Sequence, residues 1–404
     1  MERPFDHPTN IEKTNVVVIG GGYAGVMAAN RLTRRDDVTV TLINPRRTFV
    51  HRIRLHQVVA GSNDALVDYG EVLAENIRLV IDTVTRIDAS ARNVRVSSGG
   101  VLSYDYLIYA VGSGSADPDV QGAADFAYSI ATLEEAERLR RVIDAAPATA
   151  VVTVVGAGAT GIEIAAELAE LGRTVTLVCG EVLNPYLHPR VRRAVAKRLT
   201  KLGVTVLEGV EAKVTAVTRD TVQLGDGRTL PSTVTIWTAG FGVPDLATNS
   251  GLSTDAVGRL LTDETLTSVD DARIVAAGDS AAPSDLPLRM SCQAAGPLGV
   301  HAGDTVLSRI AGEQPKPIIV GFFGQCISLG HRAAVVQLAS RDDTANKFYI
   351  GGRLAAWIKK KSFPGLVKEF GAEARKPGSY TWFFKDDKRR KVLQAKRNDM
   401  PATR

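Results

Sequence analysis

The sequence predicts an α/β fold built from two parallel-sheet units of the same kind. An apolar run at residues 15–19 ends in three glycines and continues as an alanine-rich stretch that favours helix. The same order of strand, glycine turn and helix returns at residues 151–168. Strand-sized apolar runs follow both copies, and this alternation of strands with helices is typical of Rossmann-like units.

The first glycine turn has the spacing G-x-G-x-x-G, at Gly20, Gly22 and Gly25. The first glycine allows the sharp turn, the second lets the backbone approach a pyrophosphate, and the third lets the helix pack on the strand. Phosphates bind at such a helix N-terminus because free N–H groups and the helix dipole favour anions. We therefore expect a dinucleotide here, with Tyr23 and Ala24 among its contacts.

The second glycine turn repeats this spacing at Gly156, Gly158 and Gly161, after an apolar run at residues 151–155. One such motif is weak evidence, since glycine turns open many ordinary strand–helix units. Two copies, each lying between a predicted strand and a predicted helix, predict two nucleotide sites.

The residue that ends the second strand of each unit is expected at the ribose of its nucleotide. In the first unit this residue is Asn44, which can accept a hydrogen bond but carries no charge. In the second unit Cys179 holds the position, and Glu181 follows two residues later. Glu181 favours NADH, because its charge would repel a 2′-phosphate, but NADPH stays open.

Three later strands also end in turns of small residues. Two of them lead to Gly112 and Gly240, and the third ends at Gly278 and Asp279. Asp279 is placed to accept hydrogen bonds from ribityl or ribose hydroxyls. The alternative is an ordinary turn or a helix cap.

Composition sets further limits. The chain has 404 residues, of which 45% are hydrophobic and 23% charged, enough for two or three domains. Three distant cysteines without C-x-x-C spacing predict neither a disulfide framework nor a metal site. No apolar run approaches the roughly 18 residues of a membrane-spanning helix. We expect a cytoplasmic protein, or one peripheral on the inner face of a membrane.

Taken in this order, the glycine turns, the small-residue turns and the Gly-Asp pair resemble the two-dinucleotide-binding-domain flavoprotein superfamily. Within it the chain is most similar to type II NADH dehydrogenases and apoptosis-inducing-factor-like oxidoreductases, over residues 14–337. The resemblance implies that the first glycine turn and Asp279 hold FAD and that the second glycine turn holds NADH or NADPH. Gly112 and Gly240 are further expected cofactor contacts.

The same resemblance implies an FAD-binding domain with an NAD(P)H-binding domain inserted into it, followed by a small C-terminal segment. The expected limits are 11–115 and 246–320 for the two parts of the FAD domain, 116–245 for the inserted domain, and 321–404 for the C-terminal domain and basic tail.

Two residues are candidates for catalysis. Thr160, Gly161 and Glu163 are similar to the family motif T-G-x-E, whose glutamate lies near nicotinamide and quinone, so Glu163 is expected to relay protons. Alternatively, an acid in the first turn of a helix stabilises the helix dipole whatever the function. Gln293 is similar to a glutamine that opens a helix beside the flavin, or it is a simple cap.

The chain departs from the family pattern at Pro297, where a second glutamine associated with quinone is expected. This departure leaves acceptors other than quinone open. The favoured hypothesis is an FAD enzyme that passes electrons from NAD(P)H to a quinone. The alternatives are reduction of a small redox protein, oxidation of an organic metabolite, and a non-enzymatic redox sensor.

A basic loop follows the first unit's second strand. We expect Arg52 to reach the pyrophosphate or the edge of the isoalloxazine, and the alternative is a loop that faces solvent. The loop contains Arg46, Arg47, His51, Arg52, Arg54 and His56.

The basic charge of the chain is concentrated in its tail. Residues 353–404 hold 15 Lys or Arg and 5 Asp or Glu, although the whole chain has a formal charge of only +5. The tail starts like the family's membrane anchor and is then expected to be short and broken. Its apolar side chains either enter a membrane surface or pack on the protein or in a homodimer, and nucleic acid is not an expected partner. These side chains are Trp357, Phe363, Leu366 and Phe370.

Overall fold

The structure is a computed structural model that describes residues 13–399, with the backbone alone for residues 362–364, 397 and 399. The expected domain limits at residues 11 and 404 lie outside these residues.

The strands, in chain order, are β1 (Thr14–Ile19), β2 (Val38–Asn44), β3 (Thr48–Val50), β4 (Leu66–Asp68), β5 (Arg78–Ile81), β6 (Val84–Asp88), β7 (Asn93–Val96), β8 (Val101–Ser103), β9 (Tyr106–Tyr109), β10 (Gly114–Ser115), β11 (Ala127–Tyr128), β12 (Val151–Val155), β13 (Thr174–Val178), β14 (Thr205–Leu207), β15 (Val214–Val217), β16 (Thr221–Leu224), β17 (Thr229–Pro231), β18 (Val234–Trp237), β19 (Phe241–Gly242), β20 (Leu260–Thr262), β21 (Ile274–Ala276), β22 (Ala281–Pro283), β23 (Gly324–Ser328), β24 (Ala334–Ala339) and β25 (Ala345–Gly351). The helices are α1 (Tyr23–Leu32), α2 (Leu55–Ala60), α3 (Tyr69–Val72), α4 (Ala123–Phe126), α5 (Leu133–Ala145), α6 (Ala159–Glu170), α7 (Pro189–Lys201), α8 (Leu246–Asn249), α9 (Cys292–Ile310), α10 (Gly352–Arg375) and α11 (Arg389–Asp399).

The first sheet has five parallel strands in the order β21-β9-β1-β2-β5. Its central strand β1 is buried from Val16 to Ile19, which explains the unbroken apolar run there. Strand β21 comes from a part of the chain that follows the whole second unit. The structure thus confirms the predicted α/β class, in which one dinucleotide-binding unit is inserted into another.

The second sheet is also parallel, in the order β11-β18-β12-β13-β14. The two segments that join the units pair with each other as antiparallel strands β10 and β19, where Gly114 lies opposite Gly242. The domain limits written from the sequence stay predictions.

A third, antiparallel sheet of β23, β24 and β25 follows α9. Ile327 and Val335 on one side belong to the core of the second unit. On the other side Val336 packs with Ala355 of α10. The C-terminal sheet therefore lies between the inserted unit and the start of α10.

Helix α10 is continuous over 24 residues, so the expectation of a short, broken tail segment is wrong. Tertiary contacts along the helix explain the difference. Lys359 is buried in an ion pair with Glu163, and Glu373 is fully buried in an ion pair with Arg31 of α1.

Of the two alternatives for the apolar side chains of the tail, the structure shows packing on the protein itself for Phe370. Phe370 is fully buried and lies edge-on to the rings of Tyr23 and Phe49. Trp357 is 59% exposed, and Leu366 is partly buried against the core of the first unit. The side chain of Phe363 lies outside the described residues.

Candidate functional site

The first glycine turn follows β1 at the carboxyl edge of the first sheet. Gly20 has φ +102°, and a Cβ there would lie 2.3 Å from the carbonyl oxygen of Ala110. A Cβ on Gly25 would lie 1.8 Å from the carbonyl oxygen of Gly20. Both glycines are therefore required by the fold itself, the first by the turn and the other by the approach of α1 to the strand.

The second glycine turn has the same construction. Gly156 has φ +100°, and a Cβ on Gly161 would lie 1.9 Å from the carbonyl oxygen of Gly156. The hydroxyl of Thr238 donates to the carbonyl oxygens of Val155 (3.0 Å) and Gly156 (2.8 Å) and holds the turn against β18. Sequence reasoning missed Thr238, which precedes the small-residue turn.

The middle glycine of each turn differs from its neighbours. No atom lies within 4 Å of a Cβ built on Gly22 or on Gly158. These residues cap α1 and α6, and neither helix start receives a side-chain cap. Open space beside uncapped N–H groups fits a bound pyrophosphate. Thr160 is the second residue of α6 and lies beside this space.

The amide side chain of Asn44 braces the first turn. Its Oδ1 accepts from the Gly21 N–H at 3.0 Å, and its Nδ2 donates to the Arg46 carbonyl at 2.9 Å. The hydroxyl of Tyr69 donates to the Gly21 carbonyl at 2.9 Å. The ribose contact of Asn44 stays a prediction, and bracing the loop is the role the structure gives it.

Tyr23 and Ala24 are both buried, so they would meet a cofactor mainly through the backbone. The hydroxyl of Tyr23 lies 3.1 Å from Nδ1 of His51, and burial raises the pKa of Tyr23 above its ordinary value. A Cβ on Gly299 of α9 would lie 2.2 Å from the carbonyl oxygen of Ala24. Helix α9 therefore packs closely against the start of α1.

Residues distant in the sequence meet around Asp279. Its Oδ2 accepts from the Ser113 hydroxyl at 2.7 Å, and its Oδ1 accepts from the Ser291 N–H at 3.1 Å. Arg52 lies 3.5 Å from the Ser113 hydroxyl, and a Cβ on Gly112 would lie 3.8 Å from Arg52. Arg52, Gly112 and Asp279, which were predicted from three separate patterns, thus lie together. Ser113 was missed.

The next expected contacts lie at the carboxyl edges of the two sheets. Gly278, between β21 and α9, has φ +68°, and a Cβ there would lie 2.8 Å from Cβ of Ala24. Gly240, with φ +82°, lies in the turn between β18 and β19. Glu181 is exposed beyond β13, where its carbonyl accepts from Gly209 N–H at 3.2 Å. No contact shows which pyridine nucleotide its carboxylate favours.

Gln293 lies at the start of α9, where Ser291 rather than Gln293 provides the cap, since its hydroxyl accepts from Ala294 N–H. The side chain of Gln293 instead accepts from Phe323 N–H at 3.3 Å. Burial raises the pKa of the adjacent Cys292 thiol to about 11, with a further rise from Asp279 and an opposing effect from Lys359. Cys292 therefore lies between the Asp279 cluster and the buried ion pair.

Glu163 is a buried carboxylate that residues of three other elements, β23, α10 and α2, contact. Its Oε1 accepts from Ser328 N–H at 2.9 Å and from the ammonium of Lys359. Its Oε2 lies 3.4 Å from Nδ1 of His56. The first turn of α6 holds no acid, so Glu163 lies beyond the region where an acid mainly stabilises the helix dipole.

The charge of Glu163 is held by its neighbours. Burial alone would raise the pKa of this carboxyl, but the Lys359 ammonium, together with the hydrogen bonds from Lys359 and from Ser328 N–H, outweighs burial and the pKa is lowered. Burial lowers the pKa of His56 to about 4 despite Glu163, so the imidazole is neutral near pH 7. Sequence reasoning missed Lys359 and His56, because neither a run of lysines nor a basic loop indicates which of its side chains contacts Glu163.

Two general features of the described residues bear on the site. No group of three or more His, Cys, Asp or Glu side chains within residues 13–399 is placed to hold a metal ion. Among the helices of that part of the chain, none has both the length and the apolar character needed to cross a membrane.

Comparisons with known proteins agree with this geometry. A profile of the pyridine nucleotide-disulphide oxidoreductase family matches residues 14–299. An NADH dehydrogenase-like protein of Mycobacterium tuberculosis is 32% identical over 352 residues, which cover 80% of this chain and 87% of that protein. A type II NADH:quinone oxidoreductase of Staphylococcus haemolyticus is 27% identical over 391 residues, covering 86% of this chain and 94% of that enzyme.

Solved structures with the same fold extend over nearly the whole chain. The sulfide:quinone oxidoreductase of Aquifex aeolicus has a TM-score of 0.76 at 19% identity, covering 89% of this chain and 92% of that one. NDH2 of Plasmodium falciparum in complex with NADH has a TM-score of 0.75 at 16% identity, covering 91% and 99%.

Proposed function

Because the chain belongs to the pyridine nucleotide-disulphide oxidoreductase family, with FAD and NAD(P)H as its cofactors, we propose that it oxidises NADH and passes the electrons to a quinone. Bound FAD would accept a hydride from the nicotinamide and give two electrons to the acceptor. The relatives named above include quinone reductases, which supports this acceptor for the present chain.

The chain's own residues would hold the cofactors through backbone groups. The N-termini of α1 and α6 offer uncapped N–H groups at Gly22 and Gly158, and the Asp279 cluster offers a carboxylate beside Arg52. Hydride transfer needs position and electrostatics rather than an acid or a nucleophile. The exposed carboxylate of Glu181 favours NADH, since it would repel the 2′-phosphate of NADPH.

The observation that carries the proposal is the buried ion pair of Glu163 and Lys359. Reduction of a quinone by NADH consumes one proton from water in each turnover, so the enzyme needs a path for that proton. Glu163 is buried, ionised at rest and in contact with an ammonium and an imidazole. The pair thus places an acid, the Lys359 ammonium, beside a base, the Glu163 carboxylate, and we propose that together they pass the proton on towards the acceptor.

Thiol chemistry has weaker support. The pKa of Cys292 and that of Cys326 are both raised to about 11, mainly by burial. Thiols of this kind are protonated near pH 7 and poor nucleophiles. This favours a quinone over an acceptor reduced through a reactive cysteine pair.

Helix α10 presents an exposed surface at which the protein could contact a membrane and the quinone dissolved in it. Leu354 and Trp357 are 58% and 59% exposed on α10, and Lys360 and Lys361 are exposed beside them. We propose that this face binds anionic membranes, with the aromatic ring in the interface and the lysines at headgroups. That the protein lies on the inner face of a membrane and that it forms a homodimer both remain predictions.

A Glu163→Gln substitution tests the proposal, because it removes the proton-accepting group and keeps the acceptor for Ser328 N–H. We expect turnover with menadione to fall at least about tenfold, while anaerobic flavin reduction by NADH keeps its wild-type rate. Stopped-flow absorbance separates the two half-reactions. Glu137→Gln, on the exposed face of α5, is the matched control.

Full menadione turnover by the Glu163→Gln enzyme would remove Glu163 from the reaction. Equal loss of both half-reactions would mean that the substitution disturbs cofactor binding instead. Glu163→Asp keeps the charge beside Lys359 and should recover part of the turnover.

A further inference from the structure

Helix α6 carries three glutamates on one stripe, and only the first has been given a role so far. Glu163, Glu167 and Glu170 are spaced by four and three residues, so their side chains follow one another along one side of the helix. The stripe runs from the buried ion pair with Lys359 towards the end of α6. Two segments of the chain cover this stripe. One runs from α2 to Ser62, and the other is the turn between β23 and β24.

The covering turn meets each glutamate in order. Ser328 N–H donates to Glu163 at 2.9 Å, Nε2 of His331 lies 3.3 Å from Glu167 Oε2, and His331 N–H donates to Glu170 at 2.6 Å. The side chain of His331 is 48% exposed, whereas that of Glu167 is 1% exposed. His331 therefore links a buried carboxylate directly to solvent.

Glu167 is bound in an unusual way for a buried acid. Within residues 13–399 its carboxylate contacts only His331 and the hydroxyl of Ser62, at 3.5 Å. Glu373, equally buried, accepts from two backbone N–H groups and pairs with Arg31. Glu373 has the partners of a structural carboxylate, and Glu167 does not.

The other charged groups near Glu167 are accounted for. Glu170 pairs with Arg198 of α7 at 3.2 Å, and Glu163 pairs with Lys359 and lies near His56. Burial raises the pKa of Glu167, and Glu170 and Glu163 raise it further against the effect of His331. A carboxyl of this kind exchanges protons nearer to neutral pH than an exposed one.

We propose that His331 and Glu167 form a proton-uptake path from solvent to Glu163. His331 takes a proton at its exposed face and gives it to Glu167 Oε2 from Nε2. Glu167 passes it to the ion pair of Glu163 and Lys359, one helical turn away, where Cβ atoms lie about 5–6 Å apart, and a single bridging water would span that gap. One proton enters per quinone reduced. Both residues act through Glu163, and the inference rests on the proposed function.

The test compares Glu167→Gln and His331→Gln with Glu163→Gln in the FAD-loaded enzyme. We expect both to lower kcat with menadione at least about tenfold, with an unchanged KM for NADH and an unchanged rate of flavin reduction. Turnover with ferricyanide, which takes electrons without protons, should stay within about twofold of wild type. Imidazole added to a His331→Ala enzyme should restore part of the menadione turnover.

Arg332→Gln is the matched control for the turn, since Arg332 is exposed next to His331, and Glu137→Gln is the control for loss of a glutamate. Loss of menadione and ferricyanide turnover in equal measure would reveal a structural role and overturn the path. If Glu167→Gln and His331→Gln both kept wild-type menadione turnover while Glu163→Gln was slow, the proton path would be overturned but the proposed function would stand. Wild-type turnover in all three variants would overturn both.

Discussion

The glycines of each dinucleotide motif serve two different purposes. Gly20, Gly25 and their counterparts in the second turn are required by protein contacts, as the overlaps of a built Cβ show. Gly22 and Gly158 meet no protein atom within 4 Å. The fold therefore does not require glycine at these two positions, and we predict that the open space there serves a bound nucleotide.

This difference predicts that an added methyl group weakens nucleotide binding at one kind of glycine and lowers stability at the other. Gly158→Ala should change the free energy of unfolding by at most about 1 kcal/mol, the scale of a helix-cap effect, and raise the KM for NADH about tenfold, roughly 1.4 kcal/mol. Gly161→Ala should cost about 1–3 kcal/mol or more of stability through overpacking. Denaturant unfolding and steady-state kinetics measure both, and a destabilised Gly158→Ala protein with normal KM would contradict the assignment.

Buried histidines predict a loss of stability in mild acid. Burial lowers the pKa of His51 and of His56 to about 4, whereas the unfolded chain has an ordinary value near 6.5. Because the unfolded chain binds these protons first, stability is complete above about pH 6.5 and falls as pH drops towards 4. Each histidine should contribute about 1–2 kcal/mol of loss between pH 7 and pH 5.

The raised pKa of Glu167 in the folded protein has the opposite effect on the pH dependence of stability. A His51→Gln variant tests the histidine effect, because Glu167 contributes equally to it and to the wild type. Urea unfolding at pH 7 and pH 5 should therefore show a smaller acid effect in the variant. Identical pH dependence of the two proteins would mean that His51 is protonated in the folded state.

The residue scale also shows where sequence reasoning ends. The glycine motifs could be recognised in the sequence because the requirement for glycine is a matter of local steric geometry. The partners of Glu163 were not, because Lys359 lies 196 residues away and Ser328 lies 165 residues away. A lysine in a run of three gives no sign that it alone is buried.

Helix α10 shows the same limit at the scale of an element. A proline and a glycine in residues 363–370 predict a break, yet the helix is continuous because buried contacts hold it on both sides of that stretch. By contrast, the signals that begin α5 (Leu133–Ala145) are local, since a capping box joins Thr132 and Glu135 at its start.

The two faces of α10 predict separable effects. Phe370→Ala should lower the free energy of unfolding by about 3–5 kcal/mol, because a fully buried ring is lost between Tyr23 and Phe49. Trp357→Ser should leave stability within about 0.5 kcal/mol and weaken binding to anionic vesicles. Thermal unfolding and vesicle sedimentation check the pair, and undiminished vesicle binding by Trp357→Ser would contradict the membrane face.

On the scale of the whole molecule, the proposed function rests on the glycine turns that follow the central strands of two parallel sheets. The crossing segments β10 and β19 pair with each other beside the Asp279 cluster, and α2 of the first unit packs against the core of the second. The C-terminal sheet and α10 complete the enclosure by supplying Ser328 and Lys359 to Glu163. The proposed function would therefore depend on parts of the chain that lie far apart in the sequence.

The most direct test of the account is an anaerobic titration of the purified protein, followed by its visible absorbance spectrum. The account predicts a yellow protein whose flavin is bleached by one equivalent of NADH and recovers its colour when menadione is added. A colourless protein that takes up no FAD, or a bound flavin that NADH leaves oxidised, would contradict it.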